Sequence, residues 1–157
     1  MSEARSGVNI HASCVAIGTR GVLLLGPSGA GKSDLALQLI DQGARLVADD
    51  RTILFLAKGA LYAKAPASIK GLLEIRGLGI VKLPARAKVK IALAVRLGGE
   101  GERLPAPRLY HPPKPLKPDI SLPQIALDAH FASTPAKIRA ALAAFSQALL
   151  RDTFITK

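Results

Sequence analysis

A phosphate group could be held by Gly26-Pro27-Ser28-Gly29-Ala30-Gly31-Lys32-Ser33, because the run has the spacing G-x-x-x-x-G-K-[ST]. Glycines at 26, 29 and 31 let backbone N–H groups converge on phosphate oxygens where a helix begins. In a P-loop of this kind the lysine, here Lys32, reaches the β- and γ-phosphates, and the hydroxyl, here Ser33, ligates Mg²⁺. Asp49-Asp50 closes a strand further on, where the carboxyl ends of an α/β sheet form the ligand crevice. One acid there could act through Mg²⁺ or its water while the other takes a proton from an attacking hydroxyl. Adjacent acids in a turn are also common as solvated caps, and the glycine loop beside them is what favours the functional reading.

Three other residues are weaker on position alone. His11 lies in an apolar strand ahead of the loop, where a lone histidine is more often a satisfied core residue than a catalyst. Glu74, in Leu-Leu-Glu-Ile-Arg-Gly-Leu-Gly-Ile (72–80), reads equally as half of an exposed Glu74–Arg76 strand pair. Cys14 has no visible base partner and fits a small buried filler.

The elements that must position these groups follow from periodicity. Residues 9–17 and 21–25 predict paired apolar strands joined by a Gly18-Thr19-Arg20-Gly21 turn. After the glycine loop, Leu35, Ala36, Leu37, Leu39 and Ile40 predict a helix that stops at Gly43. Arg45 to Ala48 predicts a strand, and Thr52 to Leu56 with Leu61 to Ala63 a hairpin turning at Lys58-Gly59. Residues 89–97 predict a buried strand, followed by a glycine- and proline-rich stretch, about 98–119, expected to be a mobile loop. An amphipathic helix is expected from Thr134 as N-cap and Pro135 as first position, with Ile138, Ala141, Leu142, Phe145, Leu149 and Leu150 on its apolar face. Strand, glycine loop, helix and strand in that order predict a P-loop α/β domain.

The chain's 157 residues, 49% hydrophobic and 21% charged, predict a single domain with a full core. One cysteine rules out an internal disulfide and suggests a reducing, cytoplasmic setting. No apolar run approaches the ~20 residues of a membrane helix, and no membrane partner is expected. With no Trp and 4% aromatics, a base-stacking nucleic-acid surface is not expected either. The net charge of +11 calls for an anionic partner. Nine Lys and Arg against two Glu place +7 of that charge between Lys82 and Pro118.

Residues 21–50 (GVLLLGPSGAGKSDLALQLIDQGARLVADD) followed by LLEIRGLGI closely resemble the catalytic domain of bacterial HPr kinase/phosphorylase. That family phosphorylates a serine of the phosphocarrier protein HPr in the phosphotransferase system and can reverse the reaction. The resemblance covers about residues 9–83. It implies a mixed sheet of the phosphoenolpyruvate-carboxykinase type with a C-terminal helix. It matches His11 to the active-site histidine, Lys32 to the P-loop lysine and Ser33 to a magnesium ligand. Asp50, with Asp49 beside it, matches the acid that accepts the serine proton, Glu74 matches a second magnesium ligand, and Arg103 in ERLPAP loosely matches a catalytic arginine. ATP and Mg²⁺ are the implied cofactors, an HPr-like protein the implied partner, and a homo-oligomer, of hexameric kind in the family, the implied assembly. The chain begins almost at the catalytic strand, so it looks like a short single-domain form without the N-terminal domain of longer members. The family's Pro-Gly-Arg-Asn stretch, associated with dephosphorylation, has no counterpart in SLPQIALDAH (121–130), which counts against the reverse, phosphorylase reaction. The expectation is an ATP- and Mg²⁺-dependent protein serine kinase. Its rivals are a P-loop small-molecule kinase and a non-catalytic ATP-sensing module.

Overall fold

The structure, a computed structural model, describes residues 7–99, 103–106, 108–116 and 119–147. Strands β1 (Val8–Ile17) and β2 (Arg20–Leu25) pair antiparallel from Ala12 opposite Leu25 to Ile17 opposite Arg20. Strand alternation places Ala12, Cys14 and Ala16 on one face of β1, leaving His11, Ser13 and Val15 for the other. Helix α1 (Lys32–Asp41) buries Leu35, Ala36 and Leu39 and stops where Gly43 turns to φ +110, a conformation that glycine alone adopts without strain. Strand β3 (Arg45–Ala48) lies along β1, as does β4 (Arg51–Ala57), which forms a hairpin with β5 (Ala60–Lys64). Lys58 and Gly59 both have positive φ, 54° and 74°, matching the twist that a two-residue hairpin turn requires. A short 3₁₀ turn, Ala67–Ile69, leads into a separate hairpin of β6 (Leu72–Ile75) and β7 (Gly79–Lys82). Strands β8 (Val89–Leu97), β9 (Leu109–Tyr110) and β10 (Leu122–Leu127) and helix α2 (Thr134–Gln147) complete the order.

The main sheet is mixed. β8 runs parallel to both β2 and β10, whereas its pairing with β5 is antiparallel. Because β2 pairs with β1 and with β8, the path β2–β1–β4–β5–β8 closes on itself. Its two faces build two cores. One gathers Cys14, Leu23, Leu54, Ile91 and Tyr110; the other packs Val15, Leu24, Leu93 and Val95 under α1 and α2 through Leu35, Leu39, Ile138 and Leu142. The β2–β8 register shifts between Gly21 opposite Ile91 and Val22 opposite Leu93. The extra residue, Ala92, swaps the faces of β8, so Ile91 and Ala94 share one core and Leu93 and Val95 the other. Arg139 of α2 donates to the carbonyl oxygens of Leu39 and Gln42, tying α2 to the C-terminal end of α1.

Two expectations are corrected. The stretch 98–119 is not loop throughout. Leu109 and Tyr110 pair antiparallel with Pro123 and Leu122, and Tyr110 and Leu116 are buried, because apolar side chains between the prolines find the inner core. Thr134 does not cap α2 with its side chain. Its hydroxyl donates to the carbonyl of Asp128, and the amide of Lys137 donates to Ser133, which makes Ser133 the first carbonyl acceptor of the helix. Leu149 and Leu150 lie outside the described residues. Among the described residues no helix is long and apolar enough to cross a membrane.

Candidate active site

β2, β8 and β10 are parallel, and β3 runs with them because β2 and β3 are both antiparallel to β1. The segments that leave β2, β3 and β10 therefore emerge at one end of the sheet. A cleft of about 240 Å³ opens there. Ser28, Gly29, Gly31, Lys32 and Ser33 form its floor, Asp34, Asp50 and Glu74 supply its acidic side chains, and Arg76 and His130 add basic ones.

The glycine loop leaves β2 with Gly26, Gly29 and Gly31 at φ +150, +87 and +98. Space as well as conformation demands two of these glycines. A Cβ on Gly26 would stand 2.8 Å from the Leu97 carbonyl oxygen, and one on Gly31 2.8 Å from the Ala129 Cβ. Lys32 is buried, and its Nζ donates to the carbonyls of Gly26 (2.9 Å) and Pro27 (3.1 Å). The ammonium thus braces the loop whose first-turn amides face the cleft at the start of α1.

Asp49 is buried and its carboxylate is fully engaged. Oδ1 accepts from the Ser33 hydroxyl at 2.7 Å and from the Ser13 hydroxyl at 3.0 Å, and Oδ2 accepts from the Glu74 amide at 3.2 Å. Ser13 Oγ also accepts from the Asp50 amide at 3.0 Å, and the Asp50 carbonyl accepts from the Ala12 amide at 3.1 Å. These bonds hold Asp50 at φ +70, a left-handed conformation that short polar side chains tolerate. Its carboxylate consequently turns outward, 65% exposed, with Oδ1 2.8 Å from His11 Nε2. Glu74 and Arg76, two residues apart at the end of β6, both reach the cleft.

The residues singled out from sequence are therefore mostly together: the glycine loop, Lys32, Ser33, Asp49, Asp50 and Glu74, with His11 attached through Asp50. Arg103 is not with them. It is exposed on the segment after β8 and does not line the cleft. Ser13, Asp34, Arg76 and His130 are site residues that sequence reasoning did not assign. Ser13 shares a strand face with His11, and Arg76 lies two residues from Glu74, so alternation could have found both. Nothing local marks His130, which long-range pairing of β10 with β8 delivers. Cys14 faces the core, where burial pushes its thiol well above the usual range, and plays no part in the cleft.

Around the loop the oxygen donors are the Ser33 hydroxyl and the carboxylates of Asp34, Asp49, Asp50 and Glu74, and they outnumber the nitrogen of the His130 imidazole. Among the described residues no three His, Cys, Asp or Glu converge as a ready metal cage. That chemistry fits Mg²⁺, a hard cation that takes one or two carboxylates and completes its shell with phosphate oxygens and water.

A family model described as the HPr Serine kinase C-terminal domain matches residues 3–97. The HPr kinase/phosphorylase of Clostridium acetobutylicum is 46% identical over 76 residues, covering 48% of this chain and 25% of that protein. That of Cupriavidus necator is 39% identical over 115 residues, covering 66% of this chain and 36% of that protein. The chain thus spans between about a quarter and just over a third of the length of the curated relatives it matches. Among solved structures, the HPr(Ser) kinase/phosphatase from Coxiella burnetii superposes with a TM-score of 0.74 at 24% identity, over 90% of this chain and 92% of that one.

Proposed function

The chain belongs to the HPr serine kinase C-terminal domain family, and from that membership we propose that it is an ATP- and Mg²⁺-dependent protein serine kinase acting on an HPr-like phosphocarrier protein. In this reading the glycine loop is a P-loop in a phosphoenolpyruvate-carboxykinase-type domain, and residues 1–157 act as one catalytic unit. The observation that carries it is the placement of Asp50: its backbone amide is fixed by the Ser13 hydroxyl and its carboxylate is paired with His11, at the open rim of a cleft whose floor is the glycine loop, Lys32 and Ser33. At 65% exposure Asp50 can meet a serine on the surface of another protein. A small-molecule kinase would need its acceptor enclosed.

The chain's residues divide the work as phosphoryl transfer requires, by positioning and charge neutralisation. First-turn amides of α1 bind phosphate oxygens, and Lys32 Nζ exchanges the Gly26 and Pro27 carbonyls for them. Ser33 and Glu74 are the residues that would hold Mg²⁺, with Asp49 orienting the Ser33 hydroxyl. The ion supplies charge neutralisation on the phosphates. Asp50 accepts the proton of the attacking serine hydroxyl as the new O–P bond forms and ADP leaves with the electrons of the broken bond. His11 keeps the carboxylate turned toward that hydroxyl.

Incubating the purified chain with Mg²⁺, γ-labelled ATP and an HPr-like protein should give phosphoserine on the carrier. Label recovered only in a small metabolite, or ATP bound without transfer, would replace this reading with one of its rivals.

A further inference from the structure

We propose that His130 is a phosphate-contacting residue, whose imidazole donates a hydrogen bond to the terminal phosphate of the bound nucleoside triphosphate. The inference rests on the kinase reading above and assigns a further part of the same site.

The turn after β10 is built to hold this ring against the glycine loop. Ala129 is buried in the core beneath the helices with Leu127 and Ile138. Asp128 fixes the turn from both sides, its Oδ1 accepting the His130 amide at 2.8 Å and its carbonyl accepting the Thr134 hydroxyl at the start of α2. The ring is thereby seated on Gly31. A Cβ there would lie 3.3 Å from His130 Cε1 and 3.7 Å from Nε2, so the Cε1–Nε2 edge faces the loop residue that precedes Lys32. Absence of a side chain at Gly31 is what lets the imidazole approach the cradle this closely. The ring is exposed to the cleft, and no side chain among the described residues hydrogen-bonds it. Lys32, by contrast, has its ammonium engaged by two carbonyls. His130 therefore offers a ready donor on a rigid support, in the cleft that also contains Asp50. A phosphate within reach of both Asp50's acceptor serine and this donor is the one being transferred.

The test compares wild type, His130→Ala and His130→Gln, the last retaining a neutral N–H donor. Equilibrium binding of ATP and of ADP is measured for each, together with transfer to the HPr-like protein. Thermal unfolding should be alike in all three, since the ring is exposed and the turn's backbone bonds remain. His130→Ala should weaken ATP about tenfold, the worth of one hydrogen bond to a charged group, and leave ADP within about twofold; it should also lower kcat. His130→Gln should recover part of both losses. Unchanged ATP affinity, or equal loss of ATP and ADP, would overturn the assignment while leaving the kinase reading intact. Wild-type protein that bound neither nucleotide would overturn the kinase reading and this inference with it.

Discussion

Asp50 sits where an aspartate's backbone seldom goes, and the reason is Ser13. Its hydroxyl is shared between the Asp49 carboxylate and the Asp50 amide, so one buried serine aligns both acids. Asp50→Asn separates chemistry from architecture, because asparagine also tolerates a left-handed backbone and is nearly isosteric. Nucleotide binding should stay within about twofold while transfer to the carrier falls by ~10²–10⁴, the usual worth of a general base. Normal transfer by this variant would remove Asp50 from the role of base. Ser13→Ala makes the complementary statement. It strips a donor from Asp49 and the acceptor from the Asp50 amide, which should cost about 1–3 kcal/mol in denaturant unfolding and lower kcat more than it raises the KM for ATP. A variant as stable and as fast as wild type would mean that Asp50 holds its conformation without the serine.

Among the elements, those whose side chains answer to a local rule were legible in the sequence. The glycine loop, α1, the hairpin at Lys58-Gly59 and the β1–β2 pair depend on turn residues and short-range alternation, and they lie where expected. β9 was not legible, since two residues among prolines carry no period; pairing with Leu122 and Pro123 and burial of Tyr110 create it. The same limit hid His130, whose place depends on the parallel β10–β8–β2 ladder. The face of β1 opposite His11 and Ser13 carries a further consequence. Cys14 is buried, and loss of hydration holds its thiol protonated far above the range of an exposed cysteine. The unfolded thiol ionises near pH ~8.5 and the folded one does not, so the unfolded state alone loses this proton as pH rises. The contribution to stability is complete below ~8.5 and declines above it. The urea midpoint of wild type should therefore fall more steeply between about pH 8 and 11 than that of Cys14→Ala. Parallel slopes would show that the thiolate is solvated in the folded protein.

At the scale of the whole molecule the unusual quantity is charge, +11 with +7 between Lys82 and Pro118. The structure exposes Lys82, Lys88, Lys90, Arg96, Arg103, Arg108 and Lys114, while Lys117 lies outside the described residues. A positive surface of this kind acts on an approaching partner before contact, raising the encounter rate through the summed field. The field fades over about 8 Å at physiological salt, so its effect must depend on ionic strength. If the partner is an acidic carrier protein, neutralising Arg108, Lys114 and Lys117 to Ala should raise the carrier's KM several-fold at low salt. It should leave kcat and the KM for ATP unchanged, since among the described residues neither Arg108 nor Lys114 lines the cleft. The salt dependence of kcat/KM for the carrier should flatten at the same time, because the charges responsible for it have been removed. If wild type and the triple variant gave superimposable salt profiles, the basic segment would have no part in bringing the carrier to Asp50, and its charge would need another partner.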